Sequence, residues 1–589
     1  MRFFRPFFFA FFSIILLNSC GPDTSSGKEV FGGRFYGGNL RLSETEKYQT
    51  LYPYAVTDVI SSNICYQIYE GLLKFNPRNV SEVLPALCES WSIDANGMVY
   101  TFKIKKGVFF HDDPCFSDGK GREVNAEDFA WSFKMLCTQS PQNQQFAGTF
   151  KDRVKGATAY YEASATGTAP GDLEGIKVLD EMTLEITLVE PSNSFKYILA
   201  MPGTFLIARE SVEKYGPDAH VGTGPFIPVA PNPNNERLVM VKNPNYHGKD
   251  SLGNQLPFMD SVVVNFYPTK AKELDAFMQG NLDVVFGLPP ESISEVVESS
   301  IKDFKNPPKY ELVRTPELET QYYEINTTKA PFNNVKVRQA LSFAIDREKI
   351  FNNVLKGEGF GPGYYGLVPP AFSGYDTSAV RGYTFDPERA RKLLADAGFP
   401  GGKGFPIVKI ELNSGGAKHS RVVEEVKNQL MEVLNINVEY EIVPMKQKLE
   451  DAKYGRADIF RSAWVADYPS PENFLWTLYG ASVPPAADMP SFPNTPRYVS
   501  MKFDSLYLAG VKNVNTAESY KLFAMAEQVL MKDAPVIILW YGENFKLNYF
   551  YVKNFSFNPI RQWSLSEVYF KKEAPSAEAE NSSATEEKK

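Results

Sequence analysis

Few residues in this sequence of 589 have the types and spacing of a catalytic or metal-binding site. It contains no G-x-S-x-G, G-x-x-x-x-G-K-[ST], H-E-x-x-H or C-x-x-C motif. The acidic segment DDPCFSDG, residues 112–119, hints at a calcium loop, but Pro114 and Phe116 stand where oxygen ligands are required, so we interpret it as a turn. The histidines are scattered without ligand spacing: His111, His220, His247 and His419. We therefore expect no catalytic residues, no metal and no cofactor, and not an enzyme.

The cysteine at position 20 stands where exported bacterial lipoproteins carry their lipid. Two arginines precede a short run from Phe7 to Leu17 that is almost entirely apolar, which is typical of a signal peptide. The run ends in LNSCG, which resembles a lipobox, where the thiol is acylated and cleavage makes Cys20 the new N-terminus. We predict a signal peptide over 1–19, a polar tether over 20–30, and a lipoprotein of the cell envelope, periplasmic or otherwise extracytoplasmic.

Four further cysteines permit two disulfides in an exported protein, with three possible connectivities. Cys65 and Cys88 lie in apolar segments, where a buried free thiol is an equally good interpretation. Cys115 lies in a polar loop, close in sequence to Cys137 at the end of a predicted helix. Our preferred pairing is a Cys115–Cys137 disulfide.

The elements that would position a site follow mixed α/β patterns. Residues 98–110 alternate as a strand does, and Asn125 is the predicted N-cap of a helix with Phe129, Phe133 and Leu136 on one face. The glycines of GTGPF, residues 222–226, predict a sharp turn before a strand. The segments PIVKIELN, HSRVVEEVKNQLMEVL and INVEYEIV, which lie between residues 406 and 443, predict a βαβ unit and hence a parallel sheet.

Length and charge exclude several classes of protein. With 43% hydrophobic and 22% charged residues, the chain is too apolar to be disordered and too long for one compact domain. The net charge of −8 supplies no basic field for a nucleic-acid partner. No segment after the leader reaches the apolar length of a transmembrane helix, and no fixed-period repeat indicates a solenoid. The last residues, 573–589, lack aromatic side chains and predict a disordered tail.

Several segments, in this order, resemble the family 5 extracellular solute-binding proteins, the peptide-binding and nickel-binding receptors of ABC importers. They are IYEGLL at Ile68, LPALCESWSIDANGMVYTFKIKKGVFFHDD at Leu84, GTGPF at Gly222, KNPNYH at Lys242, QGNLDVVFGLP at Gln279, YYEINTTKAPFNNVKVRQALSFAIDREKI at Tyr322, DPERARKLLADAG at Asp386 and ADYPSPENFL at Ala466. Together they span nearly the whole mature chain, and the oligopeptide-binding and dipeptide-binding members are the most similar.

The resemblance implies an α/β fold of the type II periplasmic-binding-protein kind, in which two lobes surround a hinged cleft and a third domain is inserted. On this basis we expect lobe I to be discontinuous, the inserted domain to interrupt it, and lobe II to be contiguous. The expected ranges are 31–56, 195–317 and 542–572 for lobe I, 57–194 for the inserted domain and 318–541 for lobe II.

The resemblance also implies a ligand site around ADY. In the peptide-binding members an aspartate in this context takes the α-ammonium group of the peptide, and an arginine six residues earlier can take its carboxylate; Asp467 and Arg461 match these positions. Between them, Ala463 and Val465 offer main-chain groups to a peptide that binds as an added strand. Trp464 would either line a side-chain pocket or belong to the core.

Structural interpretations of the same residues stay open at this point. Asp467 could stabilise a turn before Pro469, and Arg461 could form an ion pair within its lobe. On the opposite side of the cleft, either Glu44 or Glu46 could reach the ligand.

The function implied is that of a lipid-anchored binding component of an ABC importer that captures short peptides and delivers them to the permease. Its partners would be the peptide, the permease subunits and, through the lipid, a membrane; we expect a monomer. The same fold could instead bind an oligosaccharide or a metal chelate. A hydrolase on these lobes would need a catalytic constellation that the sequence lacks, and an adhesin would need no closing cleft.

The lipid anchor is tested by Cys20→Ser. Because the serine hydroxyl cannot replace the thiol in lipid attachment, we expect the variant to stay unprocessed or to be released from membranes, as measured by fractionation and mass spectrometry of the N-terminus. A processed variant that still partitions with membranes would contradict the lipobox interpretation.

Overall fold

The computed structural model of the chain describes residues 27–169, 171–288, 309–414 and 417–571, together with residue 292. The predicted signal peptide, Cys20 and the predicted tail 573–589 therefore lie outside the described residues. At the end of the predicted tether, Glu29–Val30 forms a short strand paired with Arg34–Phe35. None of the helices in the described ranges is long and apolar enough to cross a membrane.

A four-stranded sheet carries the N-terminal strand. Its order is Phe226–Val229, Arg237–Lys242, Ser261–Phe266 and Asn39–Glu44. Neighbouring strands are antiparallel except the last pair, in which Asn39–Glu44 runs parallel to Ser261–Phe266. Leu40 and Leu42 lie opposite Val262 and Val264 and all four side chains are fully buried, so one face of this sheet belongs to the core.

The strands of a second four-stranded sheet come, in sequence order, after Asn39–Glu44 and before Phe226–Val229 of the first sheet. This second sheet is antiparallel, in the order Cys88–Ile93, Val99–Ile104, Thr183–Thr187 and Ile176–Asp180. The strand predicted over 98–110 is thus confirmed in its first half. The predicted helix is confirmed as Ala126–Leu136, with Asn125 and Asp128 forming a capping box and its three apolar positions buried.

The third sheet has seven strands and is mixed. Its path is Val284–Phe286, Val536–Tyr549, Tyr310–Ile325, Ile459–Val465, Val408–Asn413 and Val438–Val443, with Gly361–Pro362 also paired to Val536–Tyr549. The strands Val408–Asn413 and Val438–Val443 are parallel and are joined by the helix Ala417–Leu434, which confirms the predicted βαβ unit.

The remaining elements are short hairpins and helices. The hairpins pair Leu73–Asn76 with Asn79–Pro85, Val552–Lys553 with Tyr569–Phe570, and Ser556–Phe557 with Trp563–Ser564. Besides short 3-10 turns, the other helices of the described ranges are Val59–Ile68, Ala157–Ser164, Phe195–Ile198, Arg209–Tyr215, Lys270–Met278, Val335–Phe343, Arg347–Lys349 followed by the π-helical Ile350–Val354, Pro387–Asp396, Met445–Lys453, Pro471–Leu475, Met501–Lys512 and Thr516–Asp533.

Two large hydrophobic cores divide the molecule. The first contains both four-stranded sheets and the C-terminal hairpins. The second contains buried residues from Leu318 to Tyr541. The long strands Tyr310–Ile325 and Val536–Tyr549 contribute to both, since Leu312 and Leu547 pack with the first core while Tyr322 and Ile538 belong to the second. We call the two bodies the first body and the second body; these two strands connect them.

The preferred Cys115–Cys137 disulfide is wrong, because Cys65, Cys88, Cys115 and Cys137 are all free thiols. The loop that holds Cys115 adjoins the beginning of the helix Ala126–Leu136, where Arg122 binds Asp128, whereas Cys137 caps the other end. A helix of 11 residues is about 16 Å long, and a disulfide requires Cα atoms within about 7 Å. Nearness in sequence therefore does not bring the two sulfur atoms together.

A carboxyl group is buried inside the second body and forms no ion pair with a basic side chain of the described ranges. Glu527, on the helix Thr516–Asp533, is completely buried; its Oε1 accepts a hydrogen bond from the Val368 amide at 2.7 Å and its Oε2 accepts one from the Tyr375 hydroxyl at 2.5 Å. Burial raises the pKa of Glu527 to about 7, because the hydrogen bonds only partly offset the loss of hydration. The Glu527 carboxyl group thus joins the helix to the loop around residues 368–375. It is protonated more easily in the folded protein than in the unfolded protein.

We expect Glu527→Gln to make the protein less sensitive to alkaline conditions. Since the folded pKa of about 7 lies above the ordinary 4.5, the stability from the protonated group is full below pH 4.5 and is lost as the pH rises through 7. Between pH 5 and 8 the wild type should lose about 2.5 kcal/mol more unfolding free energy than the variant, as measured by urea denaturation. Parallel pH dependences of the two proteins would contradict this assignment.

Candidate functional site

A cavity of about 170 Å³ lies between the first and second bodies. Its lining from the first body comes from residues 56–66 and 201–203, with Gln145 and two residues near the C-terminus. Its lining from the second body is the segment 465–467. We call it the cleft cavity. Predicted site residues Val465 and Asp467 therefore lie where two separately packed bodies meet, which is the position expected of a ligand site that opens and closes.

Asp467 follows the strand Ile459–Val465 and is held by the next helix. Ser470 caps that helix, Pro471–Leu475, and its third residue is Asn473, which is almost completely buried. The Asn473 Oδ1 accepts hydrogen bonds from the Asp467 amide at 3.0 Å and from the Trp464 indole Nε1 at 2.8 Å. Its Nδ2 donates to the Asp467 Oδ2 at 3.2 Å. A single amide side chain thus fixes both the carboxylate and the neighbouring aromatic ring.

The environment of Asp467 favours a cationic ligand. Its side chain is open to the cleft cavity, yet protein surrounds it on the other sides, and this loss of hydration raises its pKa above the usual range. The hydrogen bond from Asn473 acts in the opposite direction but is weaker, and no Lys, Arg or His of the described ranges forms an ion pair with Asp467. A bound cation would stabilise the ionised carboxylate of Asp467 and so offset its loss of hydration.

Arg461 lies in a different place from Asp467. Its Nη2 donates to the Gln321 Oε1 at 2.6 Å and its Nη1 to the Asn413 Oδ1 at 3.1 Å, while its buried Nε meets no acceptor among the described residues. Burial lowers the pKa of Arg461. It lines a small enclosed space shared with His419 and Trp540, not the cleft cavity. The ion pair considered as its structural alternative is not formed with any described carboxylate.

The strand between these two residues has an unpaired edge. On one side, Ile459–Val465 pairs with Tyr310–Ile325 over its whole length. On the other side only Ile459 and Phe460 pair, with the strand Val408–Asn413. From residue 461 to 465, which includes Ala463 and Val465, the main-chain groups on that edge have no strand partner within the described ranges. Trp464, half-buried, packs edge-to-face on Trp476 at 6.3 Å and borders the second core.

Other predicted participants do not reach the cavity, and one important residue was not predicted. Neither Glu44 nor Glu46 lines the cleft cavity. Asn473 was missed, although Ser-Pro at 470–471 indicates a helix start that places residue 473 in its first turn, facing the preceding segment. Across the described ranges, no group of three or more His, Cys, Asp or Glu side chains is arranged to hold a metal ion.

Comparison with known proteins places this architecture in a family. Residues 82–484 match the family model described as bacterial extracellular solute-binding proteins, family 5 Middle. The periplasmic oligopeptide-binding protein OppA of Salmonella typhimurium is 29% identical over 512 residues, which cover 85% of this chain and 86% of that protein. Heme-binding protein A of Haemophilus influenzae is 29% identical over 485 residues, or 80% of this chain and 81% of the relative.

A solved structure supports the same assignment at the level of the fold. The periplasmic binding protein DppA from Helicobacter pylori, in complex with the peptide STSA, superposes with a TM-score of 0.72. The two chains are 24% identical, and the match covers 92% of this chain and 99% of the other. With a type II periplasmic-binding-protein fold and a family match over most of its length, the chain belongs to the bacterial extracellular solute-binding proteins of family 5.

Proposed function

We propose that this protein is the lipid-anchored binding component of an ABC importer, and that it captures short peptides in the cleft between its two bodies and delivers them to the permease. The observation that carries this proposal is Asp467, a carboxylate that opens into the cleft cavity with no cationic partner among the described residues. The α-ammonium group of a peptide supplies that partner. The oligopeptide-binding relative supports the choice of ligand.

The unpaired edge over 461–465 supplies the second half of the recognition. A peptide whose first residue binds at Asp467 can extend along this edge and pair through its own main chain, whatever its side chains are. At about 3.3 Å per residue, a few residues bring its end toward Arg461, whose Nε has no acceptor within the described ranges. In this arrangement Ala463 and Val465 contribute main-chain groups, and Arg461 takes the terminal carboxylate once its enclosed space opens to the cleft.

Closure would occur about the two connecting strands. We take the second body as the expected lobe II, 318–541, and the first body, whose buried residues form one core, as lobe I together with the inserted domain. Contacts between the bodies include the stacking of Tyr197 on Tyr468 at 6.5 Å and the ion pair of Lys512 with Glu190 at 2.8 Å. The two tyrosine rings are buried, whereas the ion pair is exposed and therefore weak, so it can separate when the cleft opens.

A metal chelate such as heme is the strongest alternative, since one relative is named a heme-binding protein. The charges disfavour it. Heme carries two anionic propionates, whereas the cleft cavity presents Asp467 and is lined by no Lys, Arg or His of the described ranges. A neutral oligosaccharide would leave the charge of Asp467 without a partner after closure, which is costly.

The pairing of Asp467 with an α-ammonium group is tested by Asp467→Ala and by N-acetylation of a tripeptide. Each change leaves one buried charge without its partner, so each should cost about 3 to 5 kcal/mol, on the order of a hundredfold to several thousandfold in affinity by isothermal titration. Asp488→Ala, at an exposed position, is the control and should bind as the wild type does. Equal affinity for free and acetylated peptides would remove Asp467 from the site; binding of heme but no peptide would favour the alternative.

Asn473→Ala tests how Asp467 is positioned. The change leaves the Trp464 indole and the Asp467 amide without their acceptor and frees the carboxylate. We expect about 2 to 4 kcal/mol lower unfolding free energy and about tenfold weaker peptide binding. The matched control, Asn353→Ala at an exposed position, should change neither quantity. Wild-type affinity in a destabilised Asn473→Ala protein would show that the amide supports only the fold.

A further inference from the structure

The cleft cavity contains a second carboxylate, contributed by the opposite body. Asp58 lines it together with Asp467. As the N-cap of the helix Val59–Ile68, Asp58 accepts a hydrogen bond at Oδ1 from the Ser61 amide at 2.7 Å. Its Oδ2 is buried and accepts a hydrogen bond from no residue in the described ranges. Capping the helix therefore uses one oxygen atom of this carboxylate, Oδ1, and leaves Oδ2 without a hydrogen-bond donor among the described residues.

The two carboxylates give the cleft cavity a charge that one ammonium group does not balance. Two acidic side chains line it, and within the described ranges no basic side chain does. If Asp467 holds the α-ammonium group of a peptide, Asp58 remains uncompensated as the cleft closes. Because a buried unpaired charge is costly, the ligand that fits best brings a second cation.

We infer that the cleft cavity takes the first residue of the peptide and prefers one with a cationic side chain, such as lysine, ornithine or arginine, Asp58 binding the side-chain cation while Asp467 binds the α-ammonium group. This inference rests on the proposed function and names the substrate class of the same site. Asp58 is then a specificity-determining residue, which sequence reasoning did not identify.

The size and the apolar lining of the cavity agree with one such residue. Sites that enclose a whole drug-sized ligand measure about 300 to 1,000 Å³, whereas this cavity measures about 170 Å³, so it suits one residue better than several. Val56, Met201 and Pro202 also line it, and they offer apolar contact to the methylene groups of a lysine side chain.

The two positive charges of such a first residue would also favour closure of the cleft. Asp58 belongs to the first body and Asp467 to the second. A first residue with two positive charges would contact both bodies at once, and a ligand that makes contacts only in the closed arrangement shifts the equilibrium toward it. A peptide with a neutral first side chain would form an ion pair with only one of the two carboxylates, that of Asp467.

The test compares peptides that differ in one charge, using the mature protein and its Asp58→Asn variant. Asn is also a favourable N-cap residue, so the variant keeps the helix while losing the charge. Isothermal titration would use Lys-Ala-Ala, the nearly isosteric norleucine-Ala-Ala, and Ala-Ala-Lys, in which the same charge lies at the other end. A fourth probe, 1,5-diaminopentane, carries two cations at the spacing found in lysine but has no peptide bond.

In the wild type, Lys-Ala-Ala should bind about 10 to 100 times more tightly than norleucine-Ala-Ala. Asp58→Asn should abolish this difference, because it weakens binding of Lys-Ala-Ala by removing the ion pair and strengthens binding of norleucine-Ala-Ala by removing the uncompensated charge. Ala-Ala-Lys should bind no better than norleucine-Ala-Ala. The diamine should bind much more weakly than Lys-Ala-Ala, because it lacks the main-chain groups that pair with the strand edge.

Several outcomes would overturn the inference. If the wild type binds the lysine and norleucine peptides equally, or if Asp58→Asn weakens both to the same extent, Asp58 has only a structural role. If the diamine binds as tightly as Lys-Ala-Ala, the cavity is a site for free diamines. If peptides bind without this preference, the proposed function stands and only the substrate class is wrong; if no peptide with a free amino group binds, both fail.

Discussion

The antiparallel pairing of two long strands, Tyr310–Ile325 and Val536–Tyr549, is the constraint on which the remaining structure depends. Each strand enters both hydrophobic cores, so the position of one body relative to the other is set by this shared ladder. The ladder is irregular at its centre, with a shift of register between Pro316 and Thr320. There Arg561 binds Glu317 through two hydrogen bonds of 2.6 Å and approaches Glu319 at 3.2 Å. Charge-assisted bonds thus strengthen the place where regular pairing fails.

The same ladder explains the location of the proposed ligand site. The strand Ile459–Val465 is added to one side of Tyr310–Ile325 and ends with Glu319 opposite Val465, just before Asp467. The register of this sheet therefore places Asp467 at the boundary between the bodies, and Asn473 orients its side chain. A carboxylate placed in this way has a raised pKa and an incomplete shell of partners, which is unfavourable for the empty protein but leaves binding energy for a cation.

Patterns local in sequence predicted local structure well. The βαβ unit and the helix capped by Asn125 follow from periodicity and capping residues, and both are present. Predictions that depended on distance were less successful: Cys115 lies in a loop that precedes the helix Ala126–Leu136, Cys137 caps the end of that helix, and both are free thiols.

The glycines of GTGPF and the site residues also show that sequence patterns do not reveal contacts between distant segments. Gly222 and Gly224 were expected at a sharp turn, whereas their small size has another cause: a Cβ atom there would lie within 2.3 to 2.5 Å of carbonyl oxygens at the end of the helix Val59–Ile68. Likewise, Arg461 and Asp467 are six residues apart, on a strand and just after its end, but this spacing does not reveal that they line different cavities. The partners Asn473 and Asp58 come from other elements, which a motif centred on the strand does not include.

The unpaired strand edge over 461–465 has a consequence for the behaviour of the protein in a concentrated envelope. An extended edge with free main-chain groups is a template on which other chains can add, and it is a common starting point for aggregation. In this protein Val465, at the end of the edge, lines the cleft cavity, so that end of the edge faces the first body. An edge strand that faces the other body of its own chain is less open to the edge of another folded sheet than a strand on the outer surface is. The position that would let a peptide pair with this strand therefore also limits pairing with another copy of the protein at the Val465 end.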